Sequence, residues 1–295
     1  MFVKNLNQLT DSNLKNLFGF SGAILANLMA IVLPILEAER ENTWQTRSDR
    51  KRKYVRNDGR KRKVYARQKF LMTLIYLRQN VNHTVVGEMF GVSADTSENV
   101  FHEVVPILQR EFPSQKWEVE KKWRKSQEKW SPDEVDYLII DSFETPIKRS
   151  SINEKQRKKY SGKKKMHTLK SQLITAQNGE IIQIDAGFDG PKSDIEIYRD
   201  TRLKKEWLEK PKLGDKAYIG EDIETPKKKP KGGELTEAEK EKNRELSAKR
   251  IRVEHGVRKV KTFKILRQDY RLGTWMYRKI AETVVGLIQY SRIVA

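Results

Sequence analysis

Tyr137-Leu138-Ile139-Ile140-Asp141 sets one acid directly after four apolar residues. A short apolar run of this kind reads as a buried strand. Its acid is expected at the strand's carboxyl end, where open α/β sheets place their ligand sites. Asp215, in Leu213-Gly214-Asp215-Lys216-Ala217-Tyr218, is expected to end a second, short strand from Lys212 to Lys216, with Gly214 leaving room for backbone or ligand to approach. Glu254 is different, because Arg250, Glu254, Arg258 and Lys261 recur at helical spacing and so share one helix face. Each acid has a plainer reading by itself: a turn former or cap for the two Asp, a rung of a surface salt-bridge ladder for Glu254. Together they offer three hard oxygen donors, the ligand type that Mg²⁺ takes.

The surrounding pattern supports an α/β unit. Strands are expected at 135–140, at 169–175 and, after the turn Gln177-Asn178-Gly179, at 181–186. Ser193 caps a helix over about 194–208, and a Pro/Lys/Gly loop spans 225–233. Thr236 with Glu239 three residues on has capping-box spacing and opens a long helix, and a last helix runs from Thr274 to Arg292. Asp136, Glu144, Asp185, Asp189 and Asp194 also lie near this sheet, with Asp194 a candidate secondary acid.

Upstream, residues 1–45 read as helical, with Leu14, Leu17, Leu25, Leu28 and Val32 among the periodic apolar positions. A basic stretch from Arg47 to Arg67 follows, in which Arg50, Lys51, Arg52 and Lys53 suit a phosphate backbone. Within the next helical region, Gly87 and Gly91 take the small-residue and turn positions of a helix-turn-helix, with Val86, Phe90, Val92 and Val100 as anchors and Ser97 at a usually apolar position. Ala94, Asp95, Thr96 and Asn99 then fall at the start and exposed side of its second helix, positioned to read base edges. The expected organisation is a helical region 1–115 with the helix-turn-helix at about 84–106, a helical connector 116–131 and a catalytic domain 132–295. Trp117, Trp123 and Trp130 of the connector are expected to pack between domains.

A formal charge of +20 implies a polyanionic partner, although ribosomal and membrane-surface proteins share that balance. With no cysteine, disulfides, thiolate metal sites and a cysteine nucleophile are excluded. The apolar stretch 23–36 has 14 residues, carries Asn27 and Pro34, and falls short of the ~20 a bilayer needs, so a buried helix is expected there. No leader pattern follows Met1, and no membrane association is expected.

Arg250, three residues, Glu254, six residues and Lys261 resemble the helical signature of insertion-sequence transposases of the DDE superfamily, in which a tyrosine usually stands three positions before the arginine; Ser247 stands there instead. The stretches Tyr160-Ser161-Gly162-Lys163-Lys164-Lys165-Met166-His167-Thr168-Leu169-Lys170, Ala186-Gly187-Phe188-Asp189-Gly190 with Ser193-Asp194 downstream, and Gly214-Asp215-Lys216-Ala217-Tyr218 are similar to that family too, especially to the insertion-sequence-five and Harbinger group. The likeness covers about 135–292. It implies a ribonuclease-H-like core behind an all-α DNA-binding region, and an enzyme that cuts at terminal inverted repeats and joins the ends to target DNA. Asp141 and Asp215 would share one Mg²⁺, with Asp141 and Glu254 at a second; Mn²⁺ would substitute. Lys163, Lys164, Lys165, Lys170 and His167 would hold the strand being cut, and Arg250, Arg258 and Lys261 would neutralise phosphates. The resemblance further implies double-stranded DNA as partner, a homodimer or higher assembly, and a prokaryotic cytoplasm with the chromosome as setting. A transposase-derived regulator that no longer cuts is the alternative, and metal-dependent nicking separates the two. A structural RNA-binding protein would explain the charge but not the three acids.

Overall fold

The computed structural model describes residues 8–48, 64–124, 131–201, 203 and 205–295. The chain forms two compact units, one of Met1–Phe112 with Phe263–Ile265 and Val294–Ala295, the other of Pro113–Thr262 with Leu266–Ile293.

In the first unit, five helices follow one another: α1 Asp11–Phe18, α2 Gly22–Ser48, α3 Ala66–Gln79, α4 His83–Phe90 and α5 Ala94–Glu111. α3 forms the centre, with Phe70, Leu71, Leu74, Ile75 and Leu77 all buried. Asn82 starts α4 by accepting from Val85 N (2.8 Å), and Ser93 starts α5 by accepting from Thr96 N (3.2 Å). Between them Gly91 ends α4 at φ +70°, a conformation that favours glycine. Gly87 is required by packing: a Cβ there would lie 2.6 Å from the Val92 carbonyl oxygen. Ser97 is buried, yet its hydroxyl lies 3.1 Å from His83 Nδ1, so a polar pair fills the position that usually takes an apolar side chain. α4, the turn at Gly91 and α5 thus form a helix-turn-helix arrangement.

α2 corrects one expectation. Asn27 and Pro34 do not interrupt it, and its portion Gly22–Asn42 is long and apolar enough to cross a bilayer by length and composition. Leu25, Leu28, Val32 and Leu36, spaced three and four apart, are buried within the unit. The basic positions Arg50, Lys51, Arg52 and Lys53 lie outside the described residues.

The second unit is built on a sheet of β1 Leu138–Pro146, β2 Tyr160–Ser161, β3 Met166–Ala176, β4 Ile181–Asp189 and β5 Lys212–Leu213. β4, β3 and β1 are antiparallel neighbours in that order, β5 adds parallel to β1, and β2 pairs with the start of β3. Strand alternation divides the side chains between two faces. On one face Leu138, Ile140, Ile174, Ala176 and Ile182 pack with Trp207 and Tyr218. On the other, Ile139 and Leu213 meet Leu246 and Val253 of the long helix α10, Glu237–Lys261. α11, Tyr277–Ile293, covers the same side further along; its buried Tyr277 hydroxyl lies 2.7 Å from Thr145 Oγ1 and 3.0 Å from Ser171 Oγ. α6, Lys116–Trp123, belongs to this unit: Lys116 Nζ meets Glu120 (2.6 Å) and Glu180 (3.1 Å), and Trp123 packs edge-on against Tyr290.

β1 runs five residues past Asp141, because Phe143 and Thr145 continue the inward alternation after the first acid. The helix expected over 194–208 is two, α8 Asp194–Asp200 and α9 Lys205–Leu208, with Thr201 capping the first.

Candidate active site

Asp141 is the fourth residue of β1, within the strand rather than at its end. β5 pairs with β1 only at Leu138 and Ile139. Beyond that point, among the described residues, β1 has no partner on this edge until Tyr270 bridges to its end at Pro146 and Ile147, so a mid-strand carboxylate gains the access the sequence assigned to a strand end. Asp141 shares its face with Ile139 and Phe143, the side on which α10 packs. Burial pushes its carboxyl up to about 6; the Ser142 N–H (2.9 Å) and the Arg250 charge oppose this, and the Asp215 and Asp194 carboxylates add to it.

Asp215 caps the turn Lys216–Tyr218 just after β5, accepting from Ala217 N at 2.8 Å. Gly214 serves packing, not ligand approach: a Cβ there would stand 2.8 Å from the Tyr218 ring and 2.9 Å from Ile223. The Tyr218 phenol is held neutral far above its ordinary value by burial, reinforced by Asp194, Asp141 and Asp215, so three carboxylates act on one neighbourhood. Asp194, the candidate secondary acid, accepts from Ser142 Oγ (2.7 Å) and Lys170 Nζ (3.0 Å). No local pattern announces that cluster, since its three members come from β1, β3 and the start of α8.

Glu254 is exposed on α10 and borders, with Asp141, a hollow of about 420 Å³ that Val257, Arg258, Lys261 and Arg267 also line. A second hollow of about 430 Å³ adjoins Asp141, lined among others by Glu144, Lys163, Lys164, Asp194 and Lys261. Lys261 thus borders both. Burial, with a contribution from Lys164, lowers its pKa, Asp141 and Glu144 oppose the shift, and its ammonium sits 5.1 Å from the Phe143 ring centre.

Lys163, Lys164 and Lys165 are exposed in the β2–β3 turn, where Lys165 takes φ +53°. His167 pairs with Tyr160 across β2 and β3, their ring centres 5.5 Å apart, and alternation sends it to the opposite face from Thr168 and Lys170. Lys170 is buried and committed to Asp194 and the Lys192 carbonyl. Arg258 is exposed, whereas Arg250 has a buried Nε with no hydrogen-bond partner and a charge that acts on Asp141 and Tyr218. In the helix-turn-helix, Asp95 and Asn99 are exposed and Ala94 and Thr96 half-buried, the Thr96 hydroxyl lying 2.9 Å from Ser93 Oγ.

Among the described residues no three His, Asp or Glu side chains close on a single metal position. The chemistry of the donors nevertheless fits a divalent cation. Asp141 feels two further carboxylates that push its proton affinity up, and a hard cation would relieve that repulsion.

A stability effect follows from the raised Asp141 pKa. A carboxyl whose folded pKa is about 6, against an ordinary value of 3.8, favours folding when protonated, so its contribution is present at low pH and is lost as pH rises through that window. The loss is at most about 3 kcal/mol. In chelator, wild-type protein should lose melting temperature between pH 4 and 7; Asp141→Asn should lose less and melt higher than wild type at pH 7. Parallel melting curves over pH for the two proteins check this.

Residues 140–289, about half of the chain, match the family described as DDE superfamily endonuclease, and residues 62–114 match the helix-turn-helix of DDE superfamily endonuclease. Over 99% of its length the chain is 29% identical to a probable transposase for insertion sequence element IS702 from Microchaete diplosiphon, covering 98% of that protein. It is 24% identical to a putative transposase for insertion sequence element IS112 from Streptomyces albus G, over 68% of this chain and 71% of that one. No solved structure matches the chain.

Proposed function

The chain belongs to the DDE superfamily of endonucleases as an insertion-sequence transposase, and from that premise we propose that Asp141, Asp215 and Glu254 are its catalytic carboxylates, cutting DNA at terminal inverted repeats and joining the ends to a target. The observation that carries this reading is the shared hollow: Asp141 and Glu254 border it together with Lys261, while the charge of Asp215 bears on Asp141. A ribonuclease-H-like core is supported by the strand order, three antiparallel strands with β5 added parallel to β1.

Asp141 and Asp215 would hold one Mg²⁺, and Asp141 with Glu254 a second. The pair would supply an activated oxygen nucleophile and a stabilised leaving oxygen. Arg250, whose charge bears on Asp141, would favour its ionised form. Lys261 and Arg258 would meet the phosphates beside the cut, and Lys163, Lys164 and Lys165 the strand that approaches from the other hollow. The helix-turn-helix in the region 1–115 would select the repeat, with Asp95 and Asn99 at base edges. Joining two ends calls for at least two copies of the chain, acting on the chromosome of a prokaryotic cell.

Labelled terminal-repeat DNA with Mg²⁺ tests the proposal. The expected result is strand cleavage at the repeat boundary and, with target DNA present, joined products, both abolished by chelator. Sequence-specific binding without any cleavage would favour a silent regulator instead.

A further inference from the structure

Between the second and third acids runs the loop 225–233, with Lys227-Lys228-Lys229-Pro230-Lys231 at its middle. It is strapped down along its length. Just before it, Glu224 lies beside β5, donating its N–H to the Lys212 carbonyl (2.7 Å) and accepting from Gly214 N (3.0 Å), the residue that precedes Asp215. Pro226 is buried. Asn243 of α10 then holds the Lys227 backbone twice: its Oδ1 accepts from Lys227 N (2.9 Å) and its Nδ2 donates to the Lys227 carbonyl (3.1 Å). Ion pairs of Glu224 with Lys242 (2.9 Å) and of Lys227 with Glu239 (2.7 Å) reinforce the clamp. Further on, Gly233 N–H donates to the Pro230 carbonyl (3.2 Å) with Gly232 at φ +80°, a tight turn that sets Lys231 at its corner. Lys228, Lys229 and Lys231 are exposed. Lys229 meets Glu234 at 3.5 Å, an exposed pair that a phosphate can displace. A merely solvated run of lysines needs no such fastening.

α10 measures how far this strap lies from the acids. Asn243 and Glu254 are 254 − 243 = 11 residues apart on that helix, which places them about 16 Å apart along its axis and within about 20° of one face. Lys240, Ser247, Arg250, Arg258 and Lys261 fall within about 40° of Glu254 on the same face, whereas Glu237, Glu241 and Glu245 turn about 100° or more away. The strap thus continues a stripe of cations that ends at the hollow shared by Asp141 and Glu254. After Lys231 the chain returns to the start of α10 at Glu237, about 26 Å from Glu254 along the axis. Duplex DNA advances about 3.4 Å per base pair, so its lysines stand about five to eight base pairs from a phosphate held in the hollow. We propose that Lys228, Lys229 and Lys231 grip backbone phosphates of duplex DNA about five to eight base pairs from the phosphate that is cut. The proposal rests on the reading of the Asp141–Glu254 hollow as the site of cleavage.

The test compares the full wild-type chain with one carrying Lys228→Gln, Lys229→Gln and Lys231→Gln, in chelator so that DNA is bound and not consumed. Affinity is followed against salt on a terminal-repeat duplex and on the product in which the repeat is joined to target DNA. The variant should bind about tenfold more weakly at physiological salt, and its log–log salt slope should be shallower by about 2 to 3, as the loss of three phosphate contacts requires. Single methylphosphonates, each of which removes one backbone charge, are then scanned along both DNAs. In wild type those about five to eight base pairs from the boundary should weaken binding. The glutamine variant should be indifferent to them, and Lys228→Arg, Lys229→Arg and Lys231→Arg together should retain the sensitivity. Sensitivity within the repeat assigns the strap to the transposon end, and sensitivity only across the joint assigns it to target DNA. An unchanged salt slope on both DNAs would overturn the proposal, as would a sensitivity that persists in the glutamine variant. So would a changed sedimentation of the DNA-free variant, which would mark the strap as a contact between copies. Boundary cleavage by Glu254→Gln at the wild-type rate would defeat the reading of the hollow, and the strap's place beside it with it. Cleavage lost in Glu254→Gln together with an unchanged slope in the lysine variant defeats the grip alone.

Discussion

Replacing Asp141 or Asp215 with asparagine, or Glu254 with glutamine, should each lower the single-turnover rate of Mg²⁺-dependent cleavage by about a thousandfold or more. Paired metal ions stabilise both the attacking and the leaving oxygen. Losing one ligand uncouples them, and several kcal/mol of transition-state stabilisation correspond to a rate change of that size. DNA affinity should change little, because binding rests on Lys, Arg and the helix-turn-helix, and removing a negative charge near phosphate does not weaken it. Asp141→Asn should, in addition, stabilise the metal-free fold, since it removes the buried carboxylate whose pKa lies near 6. A near wild-type cleavage rate in any one variant removes that residue from the site.

Gly87→Val should abolish specific recognition. The first carbon of any side chain at this position lies 2.6 Å from the Val92 carbonyl oxygen and 3.1 Å from Ser93 backbone atoms. Those atoms belong to the turn that fixes α5 relative to α4, and backbone cannot yield as a flexible side chain does. Overpacking of this kind costs about 1–3 kcal/mol. The larger consequence is geometric: once α5 shifts, Asp95 and Asn99, proposed to read base edges, would be displaced from them. Affinity for the terminal repeat should fall about a thousandfold, to the level of non-specific DNA, while that salt-dependent background remains. Competition binding with repeat and scrambled duplexes measures the ratio. Undiminished selectivity would place recognition outside the helix-turn-helix.

Local signals made much of this molecule legible in its sequence. Leu138-Ile139-Ile140 could only be a buried strand, Gly87 and Gly91 stood where a helix-turn-helix needs them, and Thr236 with Glu239 announced α10 through their capping box. What stayed hidden depends on partners distant in the chain. The first acid looked like the end of β1, yet Ser142 to Pro146 pair with residues 168–172 of β3, and access to Asp141 comes from the early departure of β5. Gly214 looked like a ligand approach and is explained by the Tyr218 ring. Lys170 looked like a DNA contact, but Asp194 takes its charge across the sheet edge. Arg250 shares a helix face with Glu254, so spacing could not show that its Nε is buried and its charge bears on Asp141.

The central claim is that Asp141, Asp215 and Glu254 hold one metal pair. Anomalous scattering from crystals of the protein bound to terminal-repeat DNA and soaked in Mn²⁺ tests it most directly. Two manganese peaks about 4 Å apart are expected, with Asp141 bridging them, Asp215 on one and Glu254 on the other. A bound manganese that omits Asp141, or a pair that leaves Glu254 without contact, would contradict the account.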